Sequence, residues 1–398
     1  VNAPDAQVPG FRAAGVHCGI KDAAPDLALI VSDGAAAAAG LFTRSSVVGA
    51  PVELSRAHLR GGRARAIVAN SGISNVAMGA RGQRDAAEMA RCTAKAVGVQ
   101  PSEVLVASTG VIGEPLPMAR VRRGIRAAAA AADVRGLARA AEAIRTTDTF
   151  AKQAVATARV GGRRITVAGI AKGSGMIEPN LATMLAFLVT DAQASPRFLR
   201  RVLRTAADES FNRLTVDGET STSDTLLLLA GGAAGNPELR DPSSPGAARF
   251  AAAVTEVSLQ LARELARDGE GATKLVTVRV EEARSPAEAE RAARRVANSL
   301  LVKTALHGGD ANWGRVLQTV GAAQVALRLD RTEVRLCGVA VFRRGASTGP
   351  AARRRAAAKL SAAEVDVEVR LGMGRSRARL WTCDLSAEYV RINAEYTT

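Results

Sequence analysis

Aromatic side chains are scarce in this 398-residue chain: two Trp, two Tyr and eight Phe, 3% of the total. So few rings leave nothing to interleave with basic residues as base-stacking platforms, which argues against a single-strand nucleic-acid binder. Histidine is scarcer still, with His17, His58 and His307 far apart. Cys18, Cys92, Cys337 and Cys383 show no paired spacing, so neither a His/Cys metal cluster nor a disulfide framework is expected. No apolar run reaches membrane-spanning length, and Val1 to Gln7 lacks a basic segment followed by an apolar core. The expectation is a cytoplasmic protein with no membrane partner.

What is abundant is alanine and positive charge. Hydrophobic residues make up 47% of the chain, much of it in runs such as Ala35 to Ala39 and Ala127 to Ala132, so packing rests on Ala, Val and Leu. The formal charge is +16, but the basic runs (Arg122-Arg123, Arg353 to Arg355) are short and the rest is spread along helical stretches. That distribution fits solvated helix faces and a site for carboxylated small molecules better than a nucleic-acid surface.

Short apolar runs at Leu27 to Val31, Ala66 to Ala69 and Val104 to Ala107 read as buried strands. The second empties into a turn at Asn70-Ser71-Gly72, and the third into Ser108-Thr109-Gly110, which aims hydroxyls and a backbone N–H past the strand end. Met89, Cys92, Thr93 and Ala96 recur at helical spacing and Gly98 supplies a C′ residue; Cys92 reads as core. Ala127 to Ile144 reads as one alanine-rich helical region stopped by Thr146-Thr147-Asp148. Ser195-Pro196 and Ser285-Pro286 are N-cap and first-turn pairs. Phe250, Val254, Val257, Leu261 and Leu265 mark a long helix before a strand through Val276, Val278 and Val280. Alternating strands and helices predict α/β or α+β layers, and no repeat or linker-like segment divides the chain.

Three stretches stand out for chemistry. Lys172 to Asp191 is glycine-rich, then apolar, with Thr183 at the join; it reads either as a pocket wall or as a loop feeding a buried strand or helix. Asp217 to Asp224, dense in hydroxyls and carboxylates, reads as a ligand loop or a solvated turn. His307, beside Gly308-Gly309, reads as a base or, with more weight, as a structural residue.

Taken together, Pro9 to Val16, Ser108 to Gly113, Thr146 to Thr149, Ala171-Lys172-Gly173, Leu181 to Leu185, Asp217 to Asp224, Lys303-Thr304-Ala305, Asn312 to Arg315 and Asn393 to Thr398 resemble the ornithine acetyltransferase family, glutamate N-acetyltransferases of arginine biosynthesis. The resemblance spans essentially the whole chain. It implies an α+β layered fold like that of self-cleaving DmpA-type enzymes, cut between Ala182 and Thr183 into an α chain of residues 1–182 and a β chain of residues 183–398, intertwined and assembled as α2β2.

By the same resemblance, Thr183 is the nucleophile, with its new α-amine as general base, and Thr109 and Gly110 form the oxyanion pair. Thr146, Lys172, Thr183, Glu270, Asn393 and Thr398 bind substrate. Acetyl passes from N2-acetylornithine to glutamate with no metal or organic cofactor. Acetyl-CoA as a further donor, a related acyl donor of secondary metabolism, and an amidase in which water takes the acyl group remain open. Departures from the family pattern fall at Ile73 to Val76 and at Glu178 before Pro179, and bear on substrate preference.

Overall fold

A computed structural model describes residues 7–178 and 184–395. The chain forms two compact units, although no linker-like segment marks a boundary: the first runs to Asn212 and resumes over Glu219–Leu265, and the second takes Arg213–Gly218 and the chain from Ala266 onward.

In the first unit the order is β1 (Phe11–Val16), β2 (Leu27–Phe42), α1 (Ala50–His58), β3 (Arg63–Ile73), α2 (Gly79–Val97), β4 (Val104–Val111), α3 (Met118–Ala131) and α4 (Leu137–Ala143), followed by β5 (Lys152–Val160), β6 (Arg163–Lys172), β7 (Leu185–Thr190), α5 (Pro196–Glu209), β8 (Thr225–Ala230) and α6 (Ala247–Arg267). One sheet of order β4-β3-β2-β8-β7-β6-β5, with β1 beside β2, holds these strands. The pairs β3/β4 and β7/β8 are parallel and the others antiparallel.

Alternation of side chains along the strands splits the core into two layers. Leu27, Leu29 and Val31 of β2, with Val68 and Val106, meet Met89 of α2 and Ile125 of α3 on one face. Ala28, Ile30, Ile67 and Leu105 turn to the other face, with Leu137 and Ala140 of α4. Every residue of β7 and β8 is buried, as expected of interior strands whose sequences are continuous apolar runs. Gly169 of β6 lets α6 approach: a Cβ there would lie 2.9 Å from Val257 Cγ1.

The second unit contains β9 (Leu275–Ala283), α7 (Pro286–Ala297), α8 (Leu300–His307), α9 (Trp313–Gly321), β10 (Glu333–Leu336), β11 (Val339–Arg343), β12 (Ala346–Ser347), α10 (Pro350–Lys359), β13 (Glu364–Arg370), β14 (Ser376–Cys383) and α11 (Ala387–Glu395). Its sheet has the order β12-β11-β10-β13-β9-β14. Val276, Val278 and Val280 of β9 and Val367 of β13 pack with Ala289, Ala293 and Val296 of α7.

The layered α/β expectation holds, and the Ser195 and Ser285 caps form, each hydroxyl accepting an N–H from three residues on. Two local readings are corrected. Asn70-Ser71-Gly72 is not a turn: β3 continues to Ile73, because Asn70, Ser71 and Gly72 pair in register with Ser108, Thr109 and Gly110. The alanine-rich region is two helices, because residues 132–136 leave the helix to let Asp133 exchange backbone bonds with Ala13. Gly136 passes so close that a Cβ would sit 1.6 Å from Ala13 O. Among the described residues, no helix is long and apolar enough to cross a membrane.

Candidate active site

Near its end the parallel pair β3/β4 brings two glycines into contact. Gly110, at φ +126°, lies opposite Gly72, at φ +103°, and a Cβ on Gly110 would fall 2.2 Å from the Gly72 carbonyl carbon. Only glycine fits both the conformation and the approach. The shelf beneath is held by polar bonds: Ser108 Oγ donates to Asn70 Oδ1 at 2.6 Å, Asn70 Nδ2 to the Ile73 carbonyl at 2.8 Å, and Ser71 Oγ to the Ala143 carbonyl at 2.6 Å. Thr109, 3% exposed, stands on this shelf.

Lys172, the last residue of β6, reaches the same place. Its buried ammonium donates to Thr146 Oγ1 at 2.7 Å and to Thr109 Oγ1 at 3.3 Å. An oxygen that accepts from an ammonium has its own hydroxyl proton turned elsewhere, so Thr109 is left as a donor polarised by a positive charge.

Asp148, inside the Thr146-Thr147-Asp148 motif, organises the cluster, a role that no spacing rule revealed. Its Oδ1 accepts from the Gly173 N–H at 2.6 Å and from Lys152 Nζ at 2.7 Å, and its Oδ2 from the Thr146 N–H at 3.0 Å. Both members of the Asp148–Lys152 pair are fully buried. Burial alone would raise the Asp148 pKa, but the Lys152 and Lys172 charges, with the bonds from Lys152 and Gly173, hold it well below the usual carboxylate range.

Thr183 and Ala182, the expected nucleophile and cleavage partner, lie outside the described residues, as does Thr398. The neighbour of Thr183 is well anchored: the Met184 N–H donates to Asp224 Oδ1 at 3.0 Å and the Met184 carbonyl accepts from the Thr225 N–H at 3.0 Å. Asp224 is fully buried and closes a hydroxyl-rich loop whose Ser221 carbonyl accepts from Thr43 Oγ1 at 2.6 Å, so this end of the loop is not a solvated turn. Among the described residues Asp224 Oδ2 has no hydrogen-bond partner. Burial pushes the Asp224 carboxyl well above its ordinary pKa, against the Met184 bond and the Lys172 charge.

Thr109, Gly110, Thr146 and Lys172 thus gather in the first unit. Glu270 and Asn393 meet in the second, where Asn393 Nδ2 donates to Glu270 Oε2 at 2.7 Å. Helix α11 is seated on the Gly269–Gly271 turn by Ser386 Oγ, which donates to the Gly271 carbonyl at 2.6 Å. A Cβ on Gly271 would meet the Tyr389 nitrogen at 2.5 Å. His307 Nδ1 lies 2.7 Å from Asp384 Oδ2, and Asp384 also accepts from both the N–H and the hydroxyl of Thr273, so the imidazole is tied into a structural carboxylate.

Residues 12–398 match the ArgJ family. The chain belongs to that family. It is 49% identical over 392 residues to the "Arginine biosynthesis bifunctional protein ArgJ" of Geobacter sulfurreducens, covering 98% of this chain and 100% of that one. It is 50% identical over 394 residues to the protein of the same description from Symbiobacterium thermophilum, covering 98% and 97%. Among solved structures it is similar to the arginine biosynthesis bifunctional protein argJ of Bacillus halodurans, with a TM-score of 0.50 and 38% identity over 53% of this chain and 98% of that chain.

Proposed function

We propose that this ArgJ-family enzyme of arginine biosynthesis transfers acetyl from N2-acetylornithine to glutamate through an acetyl ester on Thr183, after cutting itself between Ala182 and Thr183. The observation that carries the reading is the Lys172 ammonium held between Thr109 and Thr146. It supplies a cation for a substrate carboxylate and turns the Thr109 hydroxyl into an oxyanion donor beside Gly110.

In the first half-reaction Thr183 Oγ attacks the acetyl carbonyl, giving its proton to its own α-amine, whose unperturbed pKa of about 7.7–8.0 suits a base near neutrality. The negative oxygen of the tetrahedral intermediate is met by the Thr109 hydroxyl and the Gly110 N–H. The C–N bond then breaks, the α-ammonium returns the proton to the leaving nitrogen, and ornithine departs. The α-amine of glutamate attacks the ester, losing a proton to the Thr183 amine. The C–O bond breaks, and that proton restores Thr183 Oγ. Glu270 and Asn393 take the substrate amino group, and Thr398 completes the binding set.

Self-cleavage begins with the same hydroxyl. Before the cut, Thr183 Oγ attacks the Ala182 carbonyl, the acyl group moves from nitrogen to oxygen, and water frees the new N-terminus. Two facts support the cut. The Bacillus halodurans chain, matched over 98% of its length by 53% of this one, is about half as long, as a cut near the middle of the sequence would leave it. In addition, Met184, the second residue of the fragment that the cut would leave, is tied to Asp224 and Thr225, so the chain just beyond the cut is anchored from its own side.

The test is transfer itself: purified protein given N2-acetylornithine and glutamate should release ornithine and N-acetylglutamate in equal amounts. Acetate release without N-acetylglutamate would instead make it an amidase. The two relatives are bifunctional proteins, which favours a second donor here, and the same assay with acetyl-CoA as sole donor decides it.

A further inference from the structure

We infer that Lys21 is a second cationic group of this site, placed to receive the side-chain carboxylate of a dicarboxylic acetyl acceptor, and that it sets the choice of acceptor. The inference rests on the acetyl-transfer reading above.

The geometry begins with Asp26. This buried carboxylate accepts four backbone N–H groups, from Cys18 (2.6 Å), Gly19 (3.0 Å), Ile20 (2.6 Å) and Lys21 (3.0 Å), and so folds the β1–β2 connection into a fixed loop. From that loop Lys21 Nζ donates to the Arg145 carbonyl at 2.6 Å and to the Pro25 carbonyl at 2.9 Å. Arg145 precedes Thr146, the acceptor of the Lys172 ammonium. The Lys21 stem lies against Gly72, where a Cβ would meet Lys21 Cγ at 3.3 Å, and Gly72 is the residue that touches Gly110. One strand residue therefore separates Lys21 from the oxyanion pair.

The Lys21 ammonium is held by two neutral carbonyls, which solvate its charge without balancing it. The nearby carboxylates are committed: Asp26 to its loop and Asp148 to Lys152, Thr146 and Gly173. Glutamate brings two carboxylates, one for Lys172 and one for Lys21. Ornithine brings one carboxylate and a side-chain ammonium. That ammonium is the amino group assigned above to Glu270 and Asn393, so Lys21 meets the dicarboxylic acceptor alone. The charged groups around Lys21 are Asp26 on its own loop, Arg145 and Asp148 after α4, and Lys172 at the end of β6; His17 and the Cys18 N–H lie against Asp26. Burial lowers the Lys21 pKa most; Asp26 opposes it, Lys172 and Arg145 add to it, and the result is about 8.

Lys21→Met and Lys21→Arg test this in the full-length protein, with steady-state constants for glutamate and acetylornithine, and with exchange of labelled ornithine into acetylornithine, which needs no glutamate. Loss of a charge-assisted hydrogen bond is worth about tenfold or more. For Lys21→Met, the ratio of glutamate KM to acetylornithine KM should rise by about that factor, and Lys21→Arg should restore it. Arginine stays charged, so the glutamate KM of wild type relative to Lys21→Arg should climb above about pH 8, a ratio from which substrate ionisation cancels. An unchanged KM ratio in an exchange-competent Lys21→Met enzyme, or equal KM increases for both substrates, overturns the inference alone. A wild-type enzyme unable to exchange ornithine overturns the acetyl-transfer reading, and the inference with it.

Discussion

Lys172 donates to two hydroxyls, and each donation fixes what the acceptor's own proton can do. Thr109 is the sharper case, because its hydroxyl is one of two proposed oxyanion donors. Thr109→Val keeps the shape and removes the donor; kcat for acetyl transfer should fall by about 10²–10³ with the melting temperature little changed. A matched loss of stability would instead assign Thr109 to packing. Gly110 fails differently: Ala at φ +126° also drives its Cβ into the Gly72 carbonyl, so Gly110→Ala should lose both stability and activity. For Asp224, a folded pKa raised by burial means that its stabilising contribution is full below the unfolded value of about 3.9 and disappears as pH rises through the folded pKa. Asp224→Asn, neutral and similar in shape, should therefore raise the melting temperature at about pH 8 and leave it unmoved near pH 4. A shift of the same size at both would remove burial of the charge as the cause.

At the scale of elements, Asp148 joins the start of β5 to the end of β6. Asp148→Asn leaves the Lys152 ammonium buried without its counter-charge, a change expected to cost about 3–5 kcal/mol in urea unfolding. The sign of the acid response is opposite to that of Asp224. A folded pKa held below the usual range contributes stability above the unfolded value, and that contribution is lost as pH falls through the folded pKa. Wild-type stability should consequently drop below about pH 4, with a smaller drop in Asp148→Asn. The run Leu27 to Val31 and the apolar face of α5 were legible because an interior strand demands a continuous apolar segment and a one-sided helix a period of 3.6. The continuation of β3 through Asn70-Ser71-Gly72 was not, since pairing with Ser108 to Gly110 decides it from 38 residues away. Nor was the break between α3 and α4, where every alanine favours helix and the contact with Ala13 prevails. Lys21 escaped notice for a related reason: only the folded loop around Asp26 brings it to Arg145, 124 residues on.

Across the molecule, the placement of β7 and β8 has a consequence for the proposed cut. These two strands belong to residues 183–398, and their neighbours β2 and β6 belong to residues 1–182. Strands flanked on both sides by the other fragment, and buried along their whole length, cannot leave without opening the sheet. The fragments should therefore co-elute on size exclusion in native buffer and separate only in denaturant. That strands and helices alternate was legible in the sequence; their interleaving was not, because topology is set by which edges meet. Some of the arginines behind the charge of +16 sit in exposed pairs such as Arg391–Glu388 and Arg328–Asp330, which contribute little to stability. The most direct test of Thr183 as cleavage site and nucleophile is intact mass under denaturing conditions after incubation with N2-acetylornithine alone. Two species should appear, residues 1–182 and residues 183–398, the second carrying one acetyl group that glutamate removes. A single uncut chain that still transfers acetyl, or an acetyl group carried elsewhere than on Thr183, would contradict the account.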